Sequence, residues 1–211
     1  MLFVLCEGPT ETFFVSRVLN PWLTAQGKWA VPIAADGLRP FARVRKDILR
    51  LLRNPLARVT TLIDYYGMPS DYPGMPHAKL PPGNPAAVYG EVARLDLALG
   101  VSIGSSRFIP HYMLHEFETL GFVDPAMVEA QRRRFGGATI EPEVRAMLAQ
   151  CGGRPELVND DPQTSPSHRL EGLWPQGQYQ KTVDSVGIVE RIPFAQLQAA
   201  CPHFNNWTRQ L

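Results

Sequence analysis

The sequence has few cysteines and no long apolar run. Its three cysteines, Cys6, Cys151 and Cys201, are too few and too scattered for a disulfide framework or a zinc site. No apolar run approaches the ~18 residues that a membrane-spanning helix needs, so no membrane span is predicted. The first residues lack a positively charged start and run directly into charge, which argues against a signal peptide. We therefore expect a cytoplasmic protein that does not bind membranes.

Sequence patterns of several enzyme classes are also missing. A Walker-type glycine-rich loop is absent, so any ATP dependence is expected to come from another protein. No Ser-His-Asp or Cys-His order stands out. The net charge of +1 gives no overall argument for binding nucleic acid, and such a function has to rest on a local patch.

The pattern of the first half of the chain is an alternation of short apolar runs with helical periodicity. Strands are predicted at residues 2–6, 29–34, 59–63 and 107–113, the last of them interrupted at Pro110. Helices are predicted from an N-cap at Thr10, over 41–52 and over 86–99. This alternation predicts an α/β fold with a mostly parallel sheet and helices on both faces.

The second half of the chain has weaker patterns, which favour helices at 125–135, 141–150 and 193–200. We interpret residues 1–123 as the α/β domain and residues 124–211 as a largely helical C-terminal extension packed on it. The long proline-rich connection between Tyr65 and Ala87 follows the third predicted strand directly. Connections of this length without periodicity are commonly functional or disordered, and this one is expected to cover whatever Asp64 binds.

Acidic residues follow the predicted strands at three places. Glu7 ends the first strand, Asp64 ends the third, and Glu116 comes shortly after the fourth. Parallel strands bring such ends to one edge of the sheet, where open α/β sheets bind ligands. Carboxylate oxygens suit Mg²⁺ or Mn²⁺, which keep several waters for substrate phosphates. The alternative is that these are ordinary acids in solvated loops.

The opening VLCEGPTE at residues 4–11 resembles the start of Toprim domains, and most closely the version in overcoming-lysogenisation-defect nucleases. Four further stretches are similar to a bacterial Toprim-like family of unknown function (domain of unknown function number 4276): TLIDYYG at 61–67, HEFE at 115–118, SPSHRL at 165–170 and CPHFNNW at 201–207. The resemblance implies a Toprim fold, a divalent metal and phosphodiester cleavage, with Glu7, Glu11 and Asp64 at the metal site. It also implies a role in bacterial defence beside an ATPase partner.

The chain departs from the Toprim pattern at the end of the third strand. Toprim domains usually carry Asp-x-Asp there, and the triplet here is Asp64-Tyr65-Tyr66. Either Glu116 or Asp71 substitutes for the second aspartate, or a single metal binds tightly. The leading hypothesis is a metal-dependent nuclease. The alternatives are a catalytically silent module that binds nucleic acid or a partner, and a phosphohydrolase acting on a small nucleotide.

Catalytic roles are predicted for four residues, with Glu7 the candidate general base: Glu7, Asp64, Glu116 and Lys181. Glu116 is expected to complete or orient the metal site. Lys181 lies in a segment of low charge, and it could stabilise a phosphoryl transition state if that segment folds back onto the acids.

Basic residues on the second predicted helix and its end are candidates for binding the phosphates of nucleic acid, DNA foremost: Arg43, Lys46, Arg50 and Arg53. The alternative is a solvated helix surface. Arg169, with Ser165 and Ser167, resembles a phosphate-binding loop, although a Ser-Pro-Ser turn that caps the following helix explains the serines equally well.

Overall fold

A computed structural model describes residues 1–35, 37, 39–75, 85–158 and 165–211. These residues form two compact units, Met1–Met113 with Arg209–Leu211, and Leu114–Thr208. The second unit thus begins ten residues before the boundary proposed from sequence. His115, which follows the first unit, has a left-handed backbone (φ 65°) that non-glycine residues seldom adopt.

The first unit is built on a parallel sheet in the order β2-β1-β3-β4, with β5 also paired to β3. The strands are β1 (Leu2–Cys6), β2 (Ala30–Ala34), β3 (Arg58–Asp64), β4 (Phe108–Ile109) and β5 (Tyr112–Met113). Leu2 aligns with Ala30 on one side and with Arg58 on the other, and every one of these pairings is parallel. The predicted α/β class with a parallel sheet is confirmed.

The fourth predicted strand is divided at Pro110 and His111 into β4 and β5. Proline has no N–H to donate to the ladder, so the strand is interrupted there. Side chains of β3 bridge the interruption, because Thr60 Oγ1 donates to the Ile109 carbonyl and Thr61 Oγ1 to the His111 carbonyl, each at 2.7 Å.

The helices of the first unit are α1 (Pro9–Phe14), α2 (Asn20–Thr24), α3 (Phe41–Leu51) and α4 (Pro85–Ile103). A π-helical turn, Val15–Leu19, joins α1 to α2. The predicted N-cap at Thr10 is wrong, since Gly8 caps α1 and Pro9 takes the first helical position, where its missing N–H costs nothing. Phe13, predicted on the buried face, is 41% exposed.

The second unit is helical, as predicted for this part of the chain. Its helices are α5 (Pro125–Arg132), α6 (Glu141–Gln150), α7 (Pro166–Leu173), α8 (Lys181–Val189), α9 (Phe194–Ala200) and α10 (Pro202–Thr208). Within the described residues of this unit, three 3-10 segments accompany them, Phe117–Val123, Arg133–Phe135 and Pro155–Leu157. None of the helices in the described ranges is long and apolar enough to cross a membrane.

Candidate functional site

Two of the predicted acids lie at the carboxyl ends of the two central strands of the sheet. Asp64 is the last residue of β3, and Glu7 directly follows β1. In the strand order, β2 lies beside β1 and β4 beside β3, so the chain turns to opposite sides after these two strands. This is the topological switch point, where open α/β sheets bind their ligands.

Hydrogen bonds fix Glu7 against β3. Its backbone N–H donates to the Leu62 carbonyl at 3.0 Å, and its carboxylate Oε2 accepts the backbone N–H of Asp64 at 3.1 Å. Asp64 itself is 5% exposed. The first unit therefore holds two carboxylates at neighbouring strand ends, with one of them anchored to the backbone of the other.

Glu11, the third predicted ligand, caps helix α1. Its Oε2 accepts the backbone N–H of Gly8 at 2.8 Å, as the acid of a capping box does. Burial above all, and then the charge of Glu11, raises the pKa of the Cys6 thiol to about 12. Cys6 is therefore a protonated core residue and is unsuited to act as a thiolate ligand.

The segment after β3 folds back towards α3. Asp71, an alternative to the missing second aspartate, accepts the backbone N–H of Phe41 at 2.7 Å, at the start of α3. Tyr72 is buried, and its hydroxyl donates to the Arg39 carbonyl. Burial, followed by the charges of Asp71 and Glu7, raises the pKa of Tyr72. The rest of the proline-rich segment, residues 76–84, lies outside the described residues.

Glu116 belongs to the second unit, where it holds the start of α7. Its two carboxylate oxygens accept the backbone N–H of Ser167 at 2.8 Å and the Ser167 hydroxyl at 3.1 Å. Ser165 is the N-cap of α7, so the serines have the capping role considered above. An acid already occupies this helix terminus, which disfavours binding of a phosphate there. The predicted phosphate contact of Arg169, half-buried on α7, stays a prediction.

Lys181, the first residue of α8, lies beside an acid that is not among the predicted site residues. Its Nζ is 3.3 Å from Glu118 Oε2. Glu118 is completely buried and accepts the Ser185 hydroxyl at 2.9 Å, and Ser185 in turn contacts the Tyr179 hydroxyl at 2.7 Å. Burial raises the pKa of Glu118 most strongly, while Lys181 lowers it. A role of Lys181 at a phosphate stays a prediction.

A model of the family described as a domain of unknown function (DUF4276) matches residues 6–211. The chain belongs to this family. No curated protein matches the chain, and no solved structure does. The match spans the two acids at the switch point as well as the Glu118–Lys181 pair in the helical unit.

The outer surface of α3 in this DUF4276 protein carries a cleft of about 430 Å³. Among the described residues it is lined by Ala42, Arg45, Lys46, Leu49, Arg50 and Arg53. Three of the four cations predicted on this helix are thus brought together, and Arg45 joins them in place of Arg43. Helical periodicity could have found Arg45, because it lies three residues after Ala42 and four before Leu49.

Proposed function

We propose that the protein is a metal-dependent nuclease of the Toprim type, which uses Glu7 and Asp64 to bind Mg²⁺ or Mn²⁺. The observation that carries the proposal is the position of the two carboxylates at the ends of neighbouring parallel strands, with Glu7 Oε2 bound to the Asp64 backbone. The resemblance of residues 4–11 to Toprim domains supports it. A role in bacterial defence with an ATPase partner rests on the same resemblance and stays a prediction.

The donor set fits one hard cation. Two carboxylates suit Mg²⁺, which is commonly bound through one or two of them and keeps its remaining positions for water and phosphate. Glu11 is engaged with Gly8 and Asp71 with Phe41, so we assign both acids to positioning the backbone. A one-ion site also agrees with Tyr66 in the position of the second Toprim aspartate.

When bound, the ion would polarise the scissile phosphate and lower the pKa of an attacking water. The chain contributes the orientation of the site. Asp64 and Glu7 hold their carboxylates on a rigid sheet edge, and the Asp64 N–H fixes the rotation of Glu7. We assign the Glu7 carboxylate to accept the proton of the attacking water.

Titration calorimetry with Mn²⁺ tests the metal site. Glu7→Gln and Asp64→Asn each remove a charge at nearly constant shape, and each should abolish binding while the protein stays folded. The matched control is Glu143→Gln, which removes an exposed acid on α6 and should bind Mn²⁺ as the parent does. Parental affinity in both site variants would refute the assignment.

Cleavage of supercoiled plasmid tests the chemistry. Two-metal sites stabilise both the attacking and the leaving oxygen, and a one-ion site leaves the second poorly stabilised. We therefore expect slow nicking in Mn²⁺, little in Mg²⁺, and none in Asp64→Asn. Metal binding without cleavage of DNA or RNA, with or without an ATPase partner, would favour the catalytically silent module.

A further inference from the structure

We infer that the cleft on α3 binds single-stranded nucleic acid, with one unstacked nucleotide on its apolar floor and the neighbouring phosphates on the surrounding cations. The inference deepens the proposed function, on which it rests for its phosphodiester ligand, by naming the form in which the nucleic acid is held at this surface. It concerns binding alone and involves no metal ion.

The cleft combines two apolar residues, here called its floor, with four cations, here called its walls. Ala42 and Leu49 supply the apolar side chains, and the remaining lining residues are the cations Arg45, Lys46, Arg50 and Arg53. Within the described part of the chain, no acid lines the cleft. A ligand that fits this surface has closely spaced negative charges and an apolar body between them.

Helix α3, which carries Arg45, Lys46 and Arg50, is anchored to the rest of the first unit. Val44 and Ile48, on the opposite face of α3, are 2% and 0% exposed. Arg45 Nε donates to the Ser102 carbonyl on α4 at 3.3 Å, which fixes one wall of the cleft. The cationic face is therefore presented by an ordered scaffold, which reduces the entropy lost when a ligand binds.

The floor favours a single strand over a duplex. The bases of a duplex are stacked inside, so that its outer surface offers sugars and phosphates and would leave an apolar floor unused. An unstacked base can lie on apolar side chains and against arginine guanidinium planes. An acidic protein helix fits less well, because helix-in-groove recognition uses several apolar anchors, and this floor supplies two apolar residues.

Fluorescence anisotropy in EDTA, with a labelled oligothymidine and a mixed-sequence duplex of equal length, tests the inference. The parent should bind the single strand more tightly. Leu49→Gln keeps the size and charge of the cleft but makes its floor polar, so it should weaken single-strand binding about fivefold and leave duplex binding unchanged. Its matched control is Leu97→Gln, a leucine of α4 that is 67% exposed and lies outside the cleft lining.

The double variant Arg45→Gln/Arg50→Gln tests the phosphate contacts. It should reduce the slope of log affinity against log salt by about 1.4 for the single strand, since each phosphate contact contributes about 0.7. The control Arg17→Gln removes a cation of the same unit from outside the cleft and should not change the slope. Thermal unfolding followed by circular dichroism verifies that each variant is folded.

Four results would overturn the inference: no binding of the parent to the single strand, tighter binding of the duplex, equal losses in the variants and their controls, or tighter binding of a polyglutamate peptide than of the oligonucleotide. The last result would assign the cleft to an acidic protein segment. Because the measurement excludes metal, it is independent of the Mn²⁺ titration. Failure of the single-strand measurement would not affect the assignment of Glu7 and Asp64 as metal ligands. Failure of the Mn²⁺ titration would not affect the assignment of the cleft.

Discussion

Replacing Lys181 by methionine should lower the stability of the protein, because it leaves the buried Glu118 carboxylate without its cationic neighbour. Glu118 is completely buried, and Lys181 is its cationic neighbour at 3.3 Å. Removing one partner of a buried ion pair costs about 3–5 kcal/mol, because an uncompensated charge remains inside. Since the Lys181 side chain is 45% exposed and screened by water, we expect a smaller loss of about 2 kcal/mol at pH 8.

The loss of unfolding free energy in Lys181→Met should be larger at high pH than at low pH. Burial raises the pKa of Glu118 and Lys181 lowers it, so the variant has a Glu118 pKa further above that of the unfolded chain. A carboxyl group whose pKa is raised by folding contributes stability that is present below the unfolded pKa and is lost as pH rises. The difference in free energy of unfolding between parent and variant should therefore be small at pH 5 and should grow towards pH 8.

Urea unfolding followed by tryptophan fluorescence at pH 5 and pH 8 measures both effects. Glu118→Gln/Lys181→Met removes the whole pair, and glutamine still accepts the Ser185 hydroxyl. This double variant should be about as stable as the parent, since uncharged replacements of buried pairs are often neutral. An equal loss at both pH values in Lys181→Met, or a double variant no more stable than the single one, would refute the reasoning.

Glu7 and Asp64, the two acids at the topological switch point, could be predicted because their positions follow from local sequence patterns. Residues 2–6 and 59–63 are short apolar runs, each ending on an acid, and strands joined through helices pair in parallel. What the pattern could not supply is the register. Cys6 lies opposite Leu62, and this alignment brings the Glu7 side chain to the Asp64 N–H.

Contacts between distant segments were beyond sequence reasoning. Glu116 binds Ser167 across 51 positions, and nothing local to either residue indicates it. Helix α10 was missed for the same reason. Its first N–H groups, those of His203 and Phe204, are accepted by the buried carboxylate of Glu156, which lies more than 40 residues earlier. Pro202 at the first position of α10 is a local start signal, but the acceptor of its first N–H groups lies far away in the sequence.

Two further acids of the first unit give separate predictions. Glu11→Ala should lower the free energy of unfolding by about 1–2 kcal/mol through loss of the Gly8 cap, whereas Glu11→Gln should lose less, and both should keep the parental Mn²⁺ affinity in calorimetry. Loss of affinity in Glu11→Gln would instead make this residue a ligand. Burial raises the pKa of Asp96 to about 8, although the Tyr112 N–H opposes the shift. Asp96 is therefore protonated in the folded protein at pH 6 and ionised in the unfolded chain. The free energy of unfolding consequently falls as pH rises. Between pH 6 and pH 8 the free energy of unfolding of the parent should fall by about 2 kcal/mol because of this group. Asp96→Asn, which still accepts that N–H, should not show this fall in urea titrations. Parallel pH profiles of parent and variant would show that Asp96 is already ionised in the fold.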